Sequence, residues 1–150
     1  MKTNKRILSI LALAASLLLA CNPLNEELSP DAADYKGVVS VFYEGEWFNN
    51  ENISVNINPS EDGKTASVKI FKIRFVPKMP VRIDVTIPDI QLDATADGTR
   101  LSCDNVIPRA LGGDYPKYRV TELTGTLSGD ILEFSLNFGE YPTTFKGVRQ

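Results

Sequence analysis

The chemistry open to this chain is narrow: among its 150 residues there is no histidine, and there are only two cysteines, Cys21 and Cys103. Without an imidazole, neither a Ser-His-Asp nor a Cys-His nucleophile can be assembled, and a His/Cys zinc site has nothing to build from. No catalytic residue, no metal site and no cofactor is assigned, and the chain is not read as an enzyme. Cys103 lies in an apolar, strand-like context and reads as a small core residue, not a reactive thiol. Cys21 is different, because it directly follows the apolar run Ile7 to Ala20.

Three other groupings carry chemically capable side chains. Asp84, Asp89, Asp93 and Asp97 suggest the clustered carboxylates that hard cations take, but their spacing is not that of an EF-hand loop, and solvated positions account for them. To act as a glycosidase acid and base, two of them would have to stand roughly 5–10 Å apart. Lys69, Lys72, Arg74, Lys78 and Arg82 form the densest basic stretch, read as a solvated outer wall with an anion or acidic-glycan contact as the sharper alternative. Gly112-Gly113-Asp114-Tyr115 lacks the spacing of a phosphate loop and reads as an inter-strand loop. Trp47 and Phe48, placed in a loop, are the candidate ligand contacts, since aromatics at a barrel mouth can stack on a ligand or fold against the rim.

Lys2, Lys5 and Arg6 precede the fourteen-residue apolar run. That run is short of the ~20 residues a spanning helix needs, and a charged start with a short apolar middle marks a secretory leader. Leu18-Leu19-Ala20-Cys21 resembles the lipobox of bacterial lipoproteins. The resemblance implies cleavage after Ala20 and acylation of the Cys21 thiol, which becomes the new N-terminus. An ordinary signal peptide ending beside a chance cysteine is the alternative. Anchoring energy grows by ~0.8 kcal/mol per buried CH₂, so two or three acyl chains on Cys21 would hold the protein stably on a membrane. Asn22 is not the aspartate that retains lipoproteins at the inner membrane, which points to the outer one. The expected organisation is a signal peptide over 1–20, a flexible tether over 21–34 containing Pro23 and Pro30, and one domain over 35–150.

Without its leader the chain keeps thirteen basic and nineteen acidic residues, a formal charge of −6. So acidic a domain is a poor partner for nucleic acid. With Cys21 acylated, Cys103 has no partner and no disulfide framework exists.

The elements that must position these groups are strands. Ile53-Ser54-Val55-Asn56-Ile57 and Ala66-Ser67-Val68-Lys69-Ile70 alternate apolar and polar side chains, the signature of a half-buried strand. Phe71-Lys72-Ile73-Arg74-Phe75 alternates in the opposite phase, and the phase flips again at Pro88-Asp89. Since a one-residue slip exchanges the two faces of a strand, a bulge or bend is expected at Ile70-Phe71 and at Pro88-Asp89. Asp62-Gly63, Asp97-Gly98 and Ser128-Gly129-Asp130 carry tight-turn chemistry, and no stretch beyond the leader has helical spacing. Eight to ten strands in an antiparallel meander follow. Such a sheet must close or pair to hide its edges. The bends favour closure, as does the matching pattern of Tyr35-Lys36-Gly37-Val38 and Phe145-Lys146-Gly147-Val148 at the two ends.

The chain resembles the calycin-like (lipocalin-like) β-barrel lipoproteins of Bacteroides and its relatives over about Tyr35 to Val148. The carriers are Tyr35-x-Gly37, Asp62-Gly63-Lys64, Ile73-x-Phe75 leading to Met79-Pro80-Val81, Ile87-Pro88-Asp89-Ile90, Leu123-Thr124-Gly125-Thr126 and Leu132-x-Phe134-x-Leu136. The resemblance implies an all-β, antiparallel up-and-down barrel of eight strands on a lipid anchor, and no catalytic signature. An eight-stranded barrel is either filled by side chains or holds one small ligand. Two functions stay open: a binding module for a small apolar ligand, or a solid barrel whose wall contacts an outer-membrane protein or a glycan.

Overall fold

The computed structural model describes residues 32–150. Ala20 and Cys21, with the leader and most of the tether, lie outside the described residues. Ten strands follow in order: β1 Ala33–Tyr43, β2 Glu46–Pro59, β3 Thr65–Ile73, β4 Ile83–Thr95, β5 Gly98–Cys103, β6 Arg109–Ala110, β7 Gly113–Asp114, β8 Val120–Ser128, β9 Ile131–Phe138 and β10 Tyr141–Arg149. The one helical element among them is a 3-10 turn, Pro116–Tyr118. Eight of the strands (all but the two-residue β6 and β7) pair antiparallel in a closed ring, β1-β2-β3-β4-β5-β8-β9-β10, with β10 returning to β1. Closure gives each of the eight barrel strands a neighbour on both sides, so that the barrel has no free edge strand of its own. The β6–β7 hairpin is extra. It lies beside the first half of β4, pairing Val85 with Ala110 and Thr86 with Arg109.

The phase breaks read from the sequence are bulges. Asn52, Lys72, Asp89 and Glu122, one on each of β2, β3, β4 and β8, have φ between 54° and 57°. Each lets the strand resume with the same face inward. On β3 the inward residues are Ala66, Val68 and Ile70, then Ile73 and Phe75; on β4 they are Ile83, Val85 and Ile87, then Ile90. The break on β3 falls one residue later than expected. Phe71 is half-buried on the outer wall, where the Lys69 ammonium lies 5.0 Å from its ring centroid.

Two of the bulges are held by a carboxylate from a neighbouring element. The Lys72 N–H donates to Asp84 Oδ1 at 3.0 Å, and the Glu122 N–H to Asp104 Oδ1 at 3.0 Å. A left-handed residue turns its N–H out of the ladder, and an unpaired donor is costly, so a nearby acceptor stabilises the bulge.

The interior is apolar and filled. Ile53, Val55, Ile57, Ile83, Val85, Phe134 and Leu136 are buried. Each fully buried side chain of this kind contributes roughly 1.5–3 kcal/mol. One end of the barrel is plugged by rings: Phe75 stacks on Tyr118 at 4.1 Å and meets Phe138 edge-on at 5.1 Å, and Tyr115 stacks on Tyr118 at 5.0 Å. Phe75 comes from the segment after β3 and Tyr118 from the 3-10 turn, so the two irregular stretches of the domain close the same end.

Candidate functional site

Concavities lie both on the outside of the barrel and at its open end. The open end is lined by Tyr35, Ile57, Leu92, Leu101 and Leu127, with Arg149 at the rim, and holds about 300 Å³. It is the end at which β1 begins, with Ala33 and Tyr35 in its lining. The opposite end has no such opening, because the Phe75–Tyr118 stack occupies it.

Trp47 and Phe48 are not in a loop. The hairpin turn is Glu44–Gly45, both residues with positive φ, and β2 begins at Glu46. Being adjacent in a strand, the two aromatics face opposite ways. Trp47 is exposed and tilts against Phe42 with centroids 5.3 Å apart, while Phe48 is half-buried against the core. Both border a notch of about 380 Å³ with Tyr43, Glu44, Glu46, Val76, Pro77 and Lys78. The Glu44 carboxylate, hydrogen-bonded to the Tyr43 hydroxyl, raises that phenol above its ordinary range.

A concavity of about 800 Å³ is a shallow groove across the outer wall of β1, β10, β9, β8 and β5. Hydroxyls dominate it: Ser40, Thr124, Thr126, Ser135 and Thr144, flanked by the Lys146–Glu133 ion pair at 3.1 Å.

The third outer concavity, about 630 Å³, lies between β3, β4 and the β6–β7 hairpin. It draws three cations from the basic stretch, Lys69, Lys72 and Arg82, and adds Arg109. The other two members of that stretch go elsewhere. Arg74 turns its guanidinium toward the Pro77 carbonyl, at 3.5 Å, with Nε buried, and Lys78 joins the Trp47 notch. Sequence reading missed Arg109, which stands 27 positions after Arg82; only the hairpin's pairing with β4 brings it near. Gly112 and Gly113, read as a plain loop, form the turn and start of this hairpin.

The aspartates do not converge. Among the described residues no three of Asp, Glu and Cys gather as metal ligands. Asp84 serves the Lys72 bulge, Asp89 is itself a bulge residue, Asp93 faces Arg100 across the β4–β5 ladder, and Asp97 is in a turn. Cys103 is half-buried, and burial, with Asp104 and Asp89 adding repulsion, pushes its thiol up to about 11. It is protonated at neutral pH and a poor nucleophile.

These features define a closed, eight-stranded antiparallel barrel, plugged with aromatics at one end and shallowly open at the other. No protein-family model matches the chain, and no curated protein or solved structure does either.

Proposed function

We propose that the protein is a lipid-anchored outer-membrane barrel acting as a non-catalytic interaction module, meeting a protein or glycan partner through its outer wall. The observation that carries this reading is the filled lumen: Tyr35, Phe75, Phe138, Ile70, Ile87 and Leu132 are fully buried inside it, and the larger concavities lie outside. The lipobox-like Leu18-Leu19-Ala20-Cys21 supports the anchor, and the absence of histidine supports a non-catalytic role. The resemblance to calycin-like lipoproteins agrees with both.

The anchor is tested with Cys21→Ser. The wild-type chain is expected to incorporate radiolabelled palmitate and to fractionate with membranes. The variant should stay folded, lose the label and leave the membrane fraction by roughly tenfold or more, since the proposed acylation site is gone. A variant that remains with membranes after an alkaline wash refutes the anchor. The interaction role is tested by crosslinking on intact cells; recovery of the barrel alone, with neither protein nor glycan attached, refutes it.

The open mouth favours a second reading, a small apolar ligand entering beside the start of β1. Its volume of about 300 Å³ lies at the lower limit of small-molecule sites, and its walls are leucine, isoleucine and tyrosine. Native mass spectrometry of delipidated protein with saturated fatty acids, octanoate to palmitate, is then expected to show one molecule per barrel. Half-buried Leu92→Glu would place a carboxylate in the mouth and weaken that uptake by about tenfold or more. No uptake of any chain length removes this reading and leaves the wall as the working surface.

A further inference from the structure

We infer that the cleft between β3, β4 and the β6–β7 hairpin binds an oligoanion, a small molecule or sugar bearing two phosphate or sulfate groups. This assignment rests on the reading of the outer wall as the working surface and gives it a place and a ligand chemistry.

The backbone pairing sets out the site. Lys69 is directly opposite Thr86, and Thr86 directly opposite Arg109, so the three stand abreast on β3, β4 and β6. Adjacent strands are about 5 Å apart, which puts the two cations about 10 Å apart at the backbone with a hydroxyl between them. Their side chains are long enough to close over an oxyanion seated on Thr86. Lys72 and Arg82, further along the same cleft, are placed for a second group.

The bulge on β3 makes this grouping. Residues three apart on a regular strand face opposite sides, so Lys69 outward would send Lys72 into the core. The left-handed turn at Lys72 keeps both outside, and Asp84 stabilises it by accepting the Lys72 N–H. The one carboxylate in the cleft is thus engaged with backbone.

No other carboxylate among the described residues lines the cleft, and the Lys69 ammonium has the Phe71 ring, 5.0 Å away, beside it. Among the described residues, Lys69, Lys72 and Arg82 form no ion pair, and Arg109 has only a long one, 3.9 Å to exposed Asp114. Four cations against one carboxylate, on a chain whose residues beyond the leader carry −6, is a strong local segregation of charge. Field from one sign of charge is focused by a concave wall, and charge-assisted bonds from Lys and Arg to phosphate or sulfate oxygens are the strong kind.

Calorimetric titration of the full-length protein in detergent tests the assignment, with inorganic pyrophosphate and a heparin-derived disaccharide as separate probes. At about 50 mM salt, one-to-one binding of either probe is expected; pyrophosphate alone points to a phosphate source and the disaccharide alone to a sulfated glycan. Affinity should fall steeply by about 200 mM salt. The double variant Lys69→Gln, Arg109→Gln should bind roughly tenfold or more weakly at an unchanged unfolding midpoint, because both side chains point outward. Lys146→Gln, which removes a cation from the hydroxyl-lined face, should bind as wild type does. The assignment is overturned if wild type binds neither probe, if the double variant binds within twofold of wild type, or if the only binding found is to anionic phospholipid vesicles. None of those outcomes touches the anchor, which fractionation tests, or the wider role of the outer wall, which crosslinking tests separately.

Discussion

Gly37→Val is expected to cost about 3 kcal/mol or more, enough to leave much of the protein unfolded at 37 °C, where a typical domain has only about 5–15 kcal/mol in hand. Gly37 and Gly147 are direct partners across the β1–β10 ladder that closes the barrel. Both are on the inward face, and the two strands run so close that neither has room for a Cβ. A Cβ on Gly37 would strike the Lys146 carbonyl oxygen and come within 2.5 Å of the Gly147 Cα. One on Gly147 would strike the Phe145 ring and lie 2.9 Å from the Lys36 carbonyl oxygen. At Gly37 the obstacles are backbone atoms, which cannot rotate away as a flexible side chain can. Relief therefore requires the closing strands to separate, breaking the ladder that removes the sheet's edges. The ring of Phe145 covers Gly147 and packs on Phe134, with centroids 5.2 Å apart, which fills the space the missing side chains leave. Urea unfolding followed by tryptophan fluorescence checks the prediction, with Gly113→Ala as control. A Cβ added at Gly113 would meet nothing within 4 Å, so that change should stay within about 0.5 kcal/mol. A Gly37→Val protein with wild-type stability would mean that the barrel closes elsewhere.

That closure was legible in the sequence because it repeats a pattern at two ends of the chain, and so were the bends on β3 and β4. Ile70 and Ile73, or Ile87 and Ile90, are apolar residues three apart inside runs that otherwise alternate, and such a slip reports a bulge whatever the tertiary context. The bulge on β2 gave no such signal. Asn49, Asn50, Glu51 and Asn52 are all polar, so the alternation that would reveal the slip is absent, and Trp47-Phe48 beside it read as a loop. The candidate cleft was half legible. Lys69, Lys72 and Arg82 announce a basic wall, but Arg109 reaches it through a two-residue hairpin whose pairing with β4 has no local sequence marker. Arg74 and Lys78 belong to the same stretch and leave it, because the chain turns toward the aromatic plug after Ile73.

Asn50 is the least legible residue of consequence, and its replacement is the second large effect expected. It is 1% exposed, on the inward face of β2 in a polar run that looks solvated. Its side chain does the work of a missing piece of strand. The ladder between β2 and β3 ends at Val55 and Ile70, and beyond it Asn50 Oδ1 accepts the Arg74 N–H at 3.0 Å, while Nδ2 donates to the Arg74 carbonyl at 3.1 Å and the Val39 carbonyl at 3.4 Å. Arg74 thereby has both its backbone groups paired, and Phe75, the next residue, is delivered into the plug. Asn50→Leu would leave the Arg74 N–H without its acceptor and remove three hydrogen bonds, each worth about 1 kcal/mol, so a loss of about 2–4 kcal/mol is expected. Asn50→Asp separates hydrogen bonding from shape. An ionised aspartate can accept the Arg74 N–H but cannot donate to either carbonyl, and burial disfavours its charge, raising its folded-state pKa above the ordinary ~3.9. The folded Asn50→Asp protein then holds a proton that the unfolded chain has lost, so its stability falls as pH rises from ~4 through the raised value and recovers on acidification. Urea midpoints of the Asp variant at pH 7 and pH 5, compared with wild type at each, should show a smaller deficit at pH 5. An Asp variant whose deficit is the same at both would mean that Asn50 serves only to fill space.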